Sequence, residues 1–128
     1  VLADDYAHHP TEITATLTAA KNLDYNRVIA VFQPFTFSRT ALLKDEFIKA
    51  LSIADKVILT PIMGSREINT YGISSEDIQR GLNDCVIVDG FENIAGTIIK
   101  TAEKGDIVIT MGGGDIYKAA YIVKEKLQ

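Results

Sequence analysis

The chain has 128 residues, 47% of them apolar and 23% charged, with a formal net charge of −4. That length fits one domain with its own core, and the acidic balance argues against a protein that grips nucleic acid through a basic surface. No apolar run approaches the roughly eighteen residues of a membrane-spanning helix, no secretory pattern is present, and a single cysteine, Cys85, precludes an internal disulfide, so a cytoplasmic setting is expected.

The opening segment Asp4-Asp5-Tyr6-Ala7-His8-His9-Pro10 gathers two carboxylates, a phenol and two imidazoles. Carboxylates accept hydrogen bonds from hydroxyls, and imidazoles donate, accept or bind metal. The segment therefore reads as a site-forming loop rather than scaffold. Such a rich segment at a raw end suggests a chain cut from something longer. Pro10 presets a helix start, and Ile13, Leu17 and Ala20 then share one face of a helix expected over 11–22.

Val28 to Phe32 is a continuous apolar run of strand length. The loop Gln33-Pro34-Phe35-Thr36-Phe37-Ser38-Arg39-Thr40 follows it and opens a helix expected over 38–51, with Leu43, Phe47, Ala50 and Leu51 inward and Ser38 as candidate cap. Arg39 falls in the first turn, where the helix dipole disfavours a cation. Either it meets an anion, since a guanidinium fork suits a carboxylate or phosphate, or it is a solvated surface residue. A second strand is expected over 57–60, followed by one long irregular connection, 61–72. Within that connection Arg66 again follows a strand, with an exposed Arg66–Glu67 ion pair as the plainer alternative.

Ser74 and Asp77 have capping-box spacing for a short helix. A strand over 85–88 carries Cys85, read as a buried, unreactive thiol. Ala95, Ile98, Ile99 and Ala102 line a helix over 91–103, with Gly105 as its stop. The last strand, 107–111, leads through Gly112-Gly113-Gly114 into a helix over 115–127 with Ile116, Ala120, Val123 and Leu127 inward.

Continuous β-branched runs suit strands covered on both faces. Their alternation with helices predicts an α/β fold: a Rossmann-like three-layer sandwich, with a mostly parallel sheet and helices on both faces. Sites in such sheets gather at the carboxyl ends of the strands. The glycine loop lets a backbone approach a ligand, and a helix amino end favours anions. It lacks both the Walker ending and the dinucleotide spacing, so a simple turn capped by Asp115 is an equal reading. His8 and His9 are adjacent and point to opposite sides of an extended chain, so no shared zinc, and no metal site, is expected. No serine sits in a nucleophile elbow, and no residue is assigned as catalytic.

The string from Asp4 to Ile13 resembles the start of the C-terminal domain of the Mur ligase family, in particular its members that join L-alanine to UDP-N-acetylmuramate. The similarity continues in order through Phe32-Gln33-Pro34, Phe37-Ser38-Arg39-Thr40, Ala54-Asp55, Leu59-Thr60-Pro61-Ile62, Arg66-Glu67-Ile68 and Gly112 to Ile116. The resemblance implies that residues 1–128 are the C-terminal domain of a three-domain cytoplasmic enzyme of peptidoglycan precursor synthesis. That enzyme uses ATP and Mg2+ to phosphorylate the lactyl carboxylate, after which the alanine amine attacks the acyl phosphate and phosphate leaves. The phosphate-cradling loop and main metal ligands belong to a central ATPase domain, expected before Val1 with a Gly-x-x-Gly-Lys-Thr motif. The implied partners are UDP-N-acetylmuramate, L-alanine and that central domain, with no nucleic acid and no membrane.

Carried over by position, the resemblance places Asp5 at the ATP ribose and Tyr6 beside the nucleotide or the alanine. His8 and Arg39 would face the amino acid and the acyl phosphate. Arg66, Gly112 and Asp115 would lie near the incoming amino acid. The chain departs from the family at Phe35, where histidine is usual, at Phe37, often tyrosine, and at Thr36, arginine in some members. That leaves Arg39 as the loop's charged anchor. Two alternatives remain: the recycling ligase that adds a tripeptide to the same UDP-sugar, and a stand-alone nucleotide-binding module.

Overall fold

A computed structural model describes residues 1–127. Five strands, β1 (Leu2–Asp5), β2 (Val28–Phe32), β3 (Lys56–Leu59), β4 (Cys85–Ile87) and β5 (Ile107–Met111), form one sheet in the order β1-β5-β2-β3-β4, every pairing parallel. Every residue of the neighbouring strands β2 and β5 is buried. Side chains alternate across a strand, so Val28, Ala30 and Phe32 enter one apolar layer and Ile29 and Val31 the other. The helices α1 (Pro10–Lys21), α3 (Lys44–Leu51) and α4 (Ser75–Gln79) pack Ile13, Leu17, Phe47, Leu51 and Ile78 on the first face. On the second, α5 (Phe91–Thr101) and α6 (Tyr117–Lys126) bring Ile94, Ile98, Ala119 and Val123.

This is the α/β sandwich expected from the sequence. The connections from β1 to β4 all cross the first face and step the same way along the sheet. The connection from β4 crosses the second face and steps back, which keeps one handedness and inserts β5 between β1 and β2.

Several local expectations are corrected. Leu2–Asp5 is an edge strand, so Asp4 and Asp5 belong to the sheet and not to a loop. The helix expected over 38–51 is two: α2 (Phe37–Leu42) and α3, divided at Leu43, whose ψ of 17° leaves the helical range. The side-chain cap of α2 is Thr36, not Ser38: its Oγ1 accepts from the Arg39 N–H at 3.3 Å. Helix α5 ends at Thr101, so Gly105 (φ 95°) does not stop it but turns the chain into β5, where its carbonyl accepts from the Asn26 N–H. Ile99 and Leu127 are exposed rather than inward. Cys85 is half-buried, and desolvation pushes its thiol up to about 11, in keeping with an unreactive group.

At the amino edge of the sheet, the buried Asp106 accepts from Arg27 Nε at 3.1 Å, Arg27 Nη2 at 2.7 Å and the Glu103 N–H at 2.9 Å. The hydrogen bonds from Arg27 hold its carboxyl below the usual range. Asp106→Ala leaves these donors unpaired and should destabilise the fold by about 2–3 kcal/mol. A depressed carboxyl contributes stability above its unfolded value of roughly 4 and loses it as pH falls through the folded value. Urea unfolding of both proteins should therefore show a gap at neutral pH that narrows in acid. A pH-independent gap would mean that the charged form is not what Arg27 holds.

Candidate functional site

All five strands end at the same edge, and their loops meet there. Beyond β1, Asp5 fixes the turn: Oδ1 accepts from the Ala7 N–H at 2.9 Å and Oδ2 from Thr16 Oγ1 at 3.0 Å. Tyr6 is 67% exposed, and its ring meets that of His8 edge-on with centroids 5.2 Å apart. His8 Nδ1 lies 3.0 Å from the Tyr6 carbonyl. A carbonyl only accepts, so Nδ1 carries a proton there, with Glu12 Oε1 also 3.4 Å away.

His9 does a different job. Its Nδ1 accepts from the Thr11 N–H at 3.2 Å, while Glu12 Oε1 accepts from the backbone of His8 and His9, closing a capping box on α1. Those backbone bonds hold the Glu12 carboxyl below its usual range. The two imidazoles thus divide, one into scaffold and one toward the site. Among the described residues no group of three His, Cys, Asp or Glu could hold a metal ion.

The loop after β5 packs beneath His8. A Cβ on Gly113 would touch the His8 Cβ and Cγ at 3.4 Å, and one on Gly112 would come within 3.1 Å of the Gln33 carbonyl oxygen. Asp115 does not cap α6 with its side chain, as the sequence suggested. The Ile116 N–H is capped instead by Gln33 Oε1, and Asp115 Oδ1 accepts from Gln33 Nε2. A cleft of about 350 Å³ opens here, lined by Gln33, Thr60, Met63, Asp89, Phe91 and Asp115, among others. It lies where the chain leaves β2 and β3 over one face, and β4 and β5 over the other.

The loops after β2 and β3 are sewn together. The Thr36 N–H donates to the Met63 carbonyl, and the Met63 N–H to that of Pro34, each at 2.8 Å. Glu67 forms no pair with Arg66: its carboxylate accepts from the Ser38 N–H at 2.9 Å and from Ser38 Oγ at 2.5 Å. The Ser38 hydroxyl bond, with the Ser38 amide, holds the Glu67 carboxyl below its usual range. Among the described residues, no ion pair or side-chain hydrogen bond engages Arg39, which lines a hollow with Thr36, Ser38, Leu42 and Leu43, nor the exposed Arg66.

The fold thus brings Tyr6, His8, Gly112 and Asp115 to one edge. Arg39 and Arg66 lie on the joined β2 and β3 loops beside them, with no hydrogen bond or ion pair linking the two groups among the described residues. The sequence reading missed Gln33 and Glu67, whose partners lie 82 and 29 residues away in sequence.

Comparison with known proteins gives this geometry a family. The description "Mur ligase, glutamate ligase domain" matches residues 1–114. The chain belongs to the Mur ligase family. A UDP-N-acetylmuramate–L-alanine ligase of Caldicellulosiruptor saccharolyticus is 51% identical over 130 residues, covering 98% of this chain and 29% of that protein. One from Lachnospira eligens is 53% identical over 119 residues, covering 90% of the chain and 26% of the relative. The crystal structure of UDP-N-acetylmuramate–alanine ligase MurC from Thermotoga maritima superposes with a TM-score of 0.75 at 25% identity, covering 99% of this chain and 26% of that one. The Mur ligase domain described here therefore spans little more than a quarter of the relatives it matches. No helix among its described residues is long and apolar enough to cross a membrane.

The Glu67 link has a pH signature. Its depressed carboxyl secures the loop above the ordinary glutamate value of roughly 4, and the bond loosens as pH falls through the folded value. Protection of the Ser38 amide against hydrogen exchange should drop across that acid window, and Glu67→Gln should abolish the pH dependence. A Ser38 amide equally protected on both sides of the transition would show that the carboxylate is not its partner.

Proposed function

We propose that this chain is the C-terminal domain of a cytoplasmic ATP-dependent ligase that joins L-alanine to UDP-N-acetylmuramate through an acyl phosphate. The observation that carries this reading is the 51% identity, across nearly the whole chain, with an enzyme of that name. The site chemistry agrees with it. The Arg39 guanidinium, in the first turn of α2 and without a side-chain hydrogen bond or ion pair among the described residues, suits the carboxylate of an amino acid or the charge of an acyl phosphate. The carboxylates of Asp89 and Asp115 in the cleft suit its ammonium group.

ATP fits the amino-end residues in kind. Each oxygen of Asp5 accepts one hydrogen bond and has acceptor capacity left for a ribose diol, and the Tyr6 ring is open to a flat base. In this reading ATP supplies the phosphoryl group, and Mg2+ is bound mainly by the central domain. The part played by this chain is to position and to neutralise charge. Arg66 and Gly112 complete the amino-acid side of the site, together with His8, whose ring lies over Gly113. The partners are the UDP-sugar, alanine and the central ATPase domain, and the chain alone is inactive.

Ligation assays on the full-length enzyme test this directly: alanine should be joined and a preformed tripeptide should not, while residues 1–128 alone should form no amide and hydrolyse no ATP. Preference for the tripeptide would favour the recycling enzyme instead. In the full-length protein, Arg39→Ala should lower turnover or raise the alanine KM by about tenfold or more, a loss on the scale of one preorganised charge contact. Unchanged kinetics with an intact fold would remove Arg39 from the site.

A further inference from the structure

The carboxamide of Gln33 occupies the point where the two halves of the sheet part. Gln33 is 5% exposed and follows β2 directly, its N–H extending the ladder to the Met111 carbonyl at 3.0 Å. Its side chain crosses to the start of α6, where Oε1 accepts from the Ile116 N–H and Nε2 donates to Asp115 Oδ1, both at 3.1 Å. The partners fix which end is which: a backbone N–H can only donate, so oxygen faces it and the NH2 faces the carboxylate. The glycine loop closes onto this amide, since a Cβ at Gly114 would lie 2.7 Å from Gln33 Oε1 and 3.0 Å from Met63 Sδ.

The other oxygen of Asp115 is far less committed. Its nearest cation is Lys118 Nζ at 3.9 Å. Asp115 and Gln33 line the same cleft, which Asp89 enters from the β4–α5 turn. Asp89, Asp115 and Lys118 are the charged groups around the amide, with His8 over the neighbouring Gly113.

We propose that Gln33 is a positioning residue for the amine substrate: by donating to Asp115 Oδ1 it turns Oδ2 into the cleft, where the incoming amino group is received. This rests on the ligase reading above. An amide does this where an acid of the same shape cannot, because it donates without competing for a proton. Glutamate at this position would set two carboxyl groups about 3 Å apart, and such a pair shares a proton.

The test uses the full-length enzyme and two readouts. Gln33→Glu should raise the alanine KM by about tenfold or more while leaving the KM values for ATP and UDP-N-acetylmuramate within about twofold. Its Tm deficit against wild type should grow from about pH 5 to about pH 8. The shared proton raises the folded pKa of the pair, so the penalty is absent where the pair is protonated in both states and full above the folded value. In the double variant Gln33→Glu/Asp115→Asn the donor and acceptor trade places. Its Tm should return toward wild type and lose the pH trend, yet the alanine KM should stay raised, because the carboxylate has left the cleft end of the pair. A pH-independent deficit in Gln33→Glu, or a double variant that regains the alanine KM, would overturn the proposal. A wild-type enzyme that joins no alanine would overturn the ligase reading, and with it the amine role, while the Tm measurements would still decide whether Gln33 faces Asp115.

Discussion

Strand β5 enters the sheet between two strands whose chains depart over the opposite face, and the site depends on that reversal. Parallel pairing to both β1 and β2 places Met111 beside Asp5 and Phe32. The three loops that follow therefore start side by side and then diverge, one toward α6 and two toward α1 and α2. The gap between them is not filled by a side-chain layer and opens as the cleft lined by Gln33, Asp89 and Asp115. It is bridged by one amide, from Gln33 to the α6 start, and floored by Gly112 and Gly114, where a Cβ would crowd Gln33 at 3.1 and 2.7 Å.

Around this crevice the polar groups fall into two classes. His9 and Glu12 accept from backbone N–H groups, and Asp5 and Glu67 from a backbone N–H and a hydroxyl each, which shapes the loops. Tyr6, Arg39 and Arg66 spend no side-chain hydrogen bond within the described residues, and Nε2 of His8 is left over once Nδ1 is engaged. The aromatic and guanidinium groups at this edge are thus left unengaged among the described residues, while the loops beneath them are held by carboxylates and imidazole.

The sequence revealed the parts of this architecture that repeat. Val28 to Phe32 and Ile107 to Met111 are continuous apolar runs because both faces of those strands are covered, and the helical faces of α1 and α5 follow from periodicity. Strand β1 was hidden because it is four residues long, lies at an edge, and is half acidic, so its polarity argued for a loop. The division between α2 and α3 was hidden because Leu43 fits the apolar stripe while its backbone leaves the helix. At the candidate site, residue types singled out groups that the fold brings to one edge of the sheet, but not which of them serve as struts. The caps from Gln33 to Ile116 and from Glu67 to Ser38 join loops distant in sequence, and no local pattern encodes them.

Thr36 carries a consequence of its own. A β-branched residue there holds φ at 66° and ψ at 144°, a conformation that glycine adopts freely and that costs other residues about 1–3 kcal/mol. Its hydroxyl cap and the backbone bond to Met63 keep it in place. The segment that presents Arg39 is therefore spring-loaded. A rearrangement that frees this residue releases tension instead of creating it, and part of the work of reshaping the loop is already stored in the resting chain.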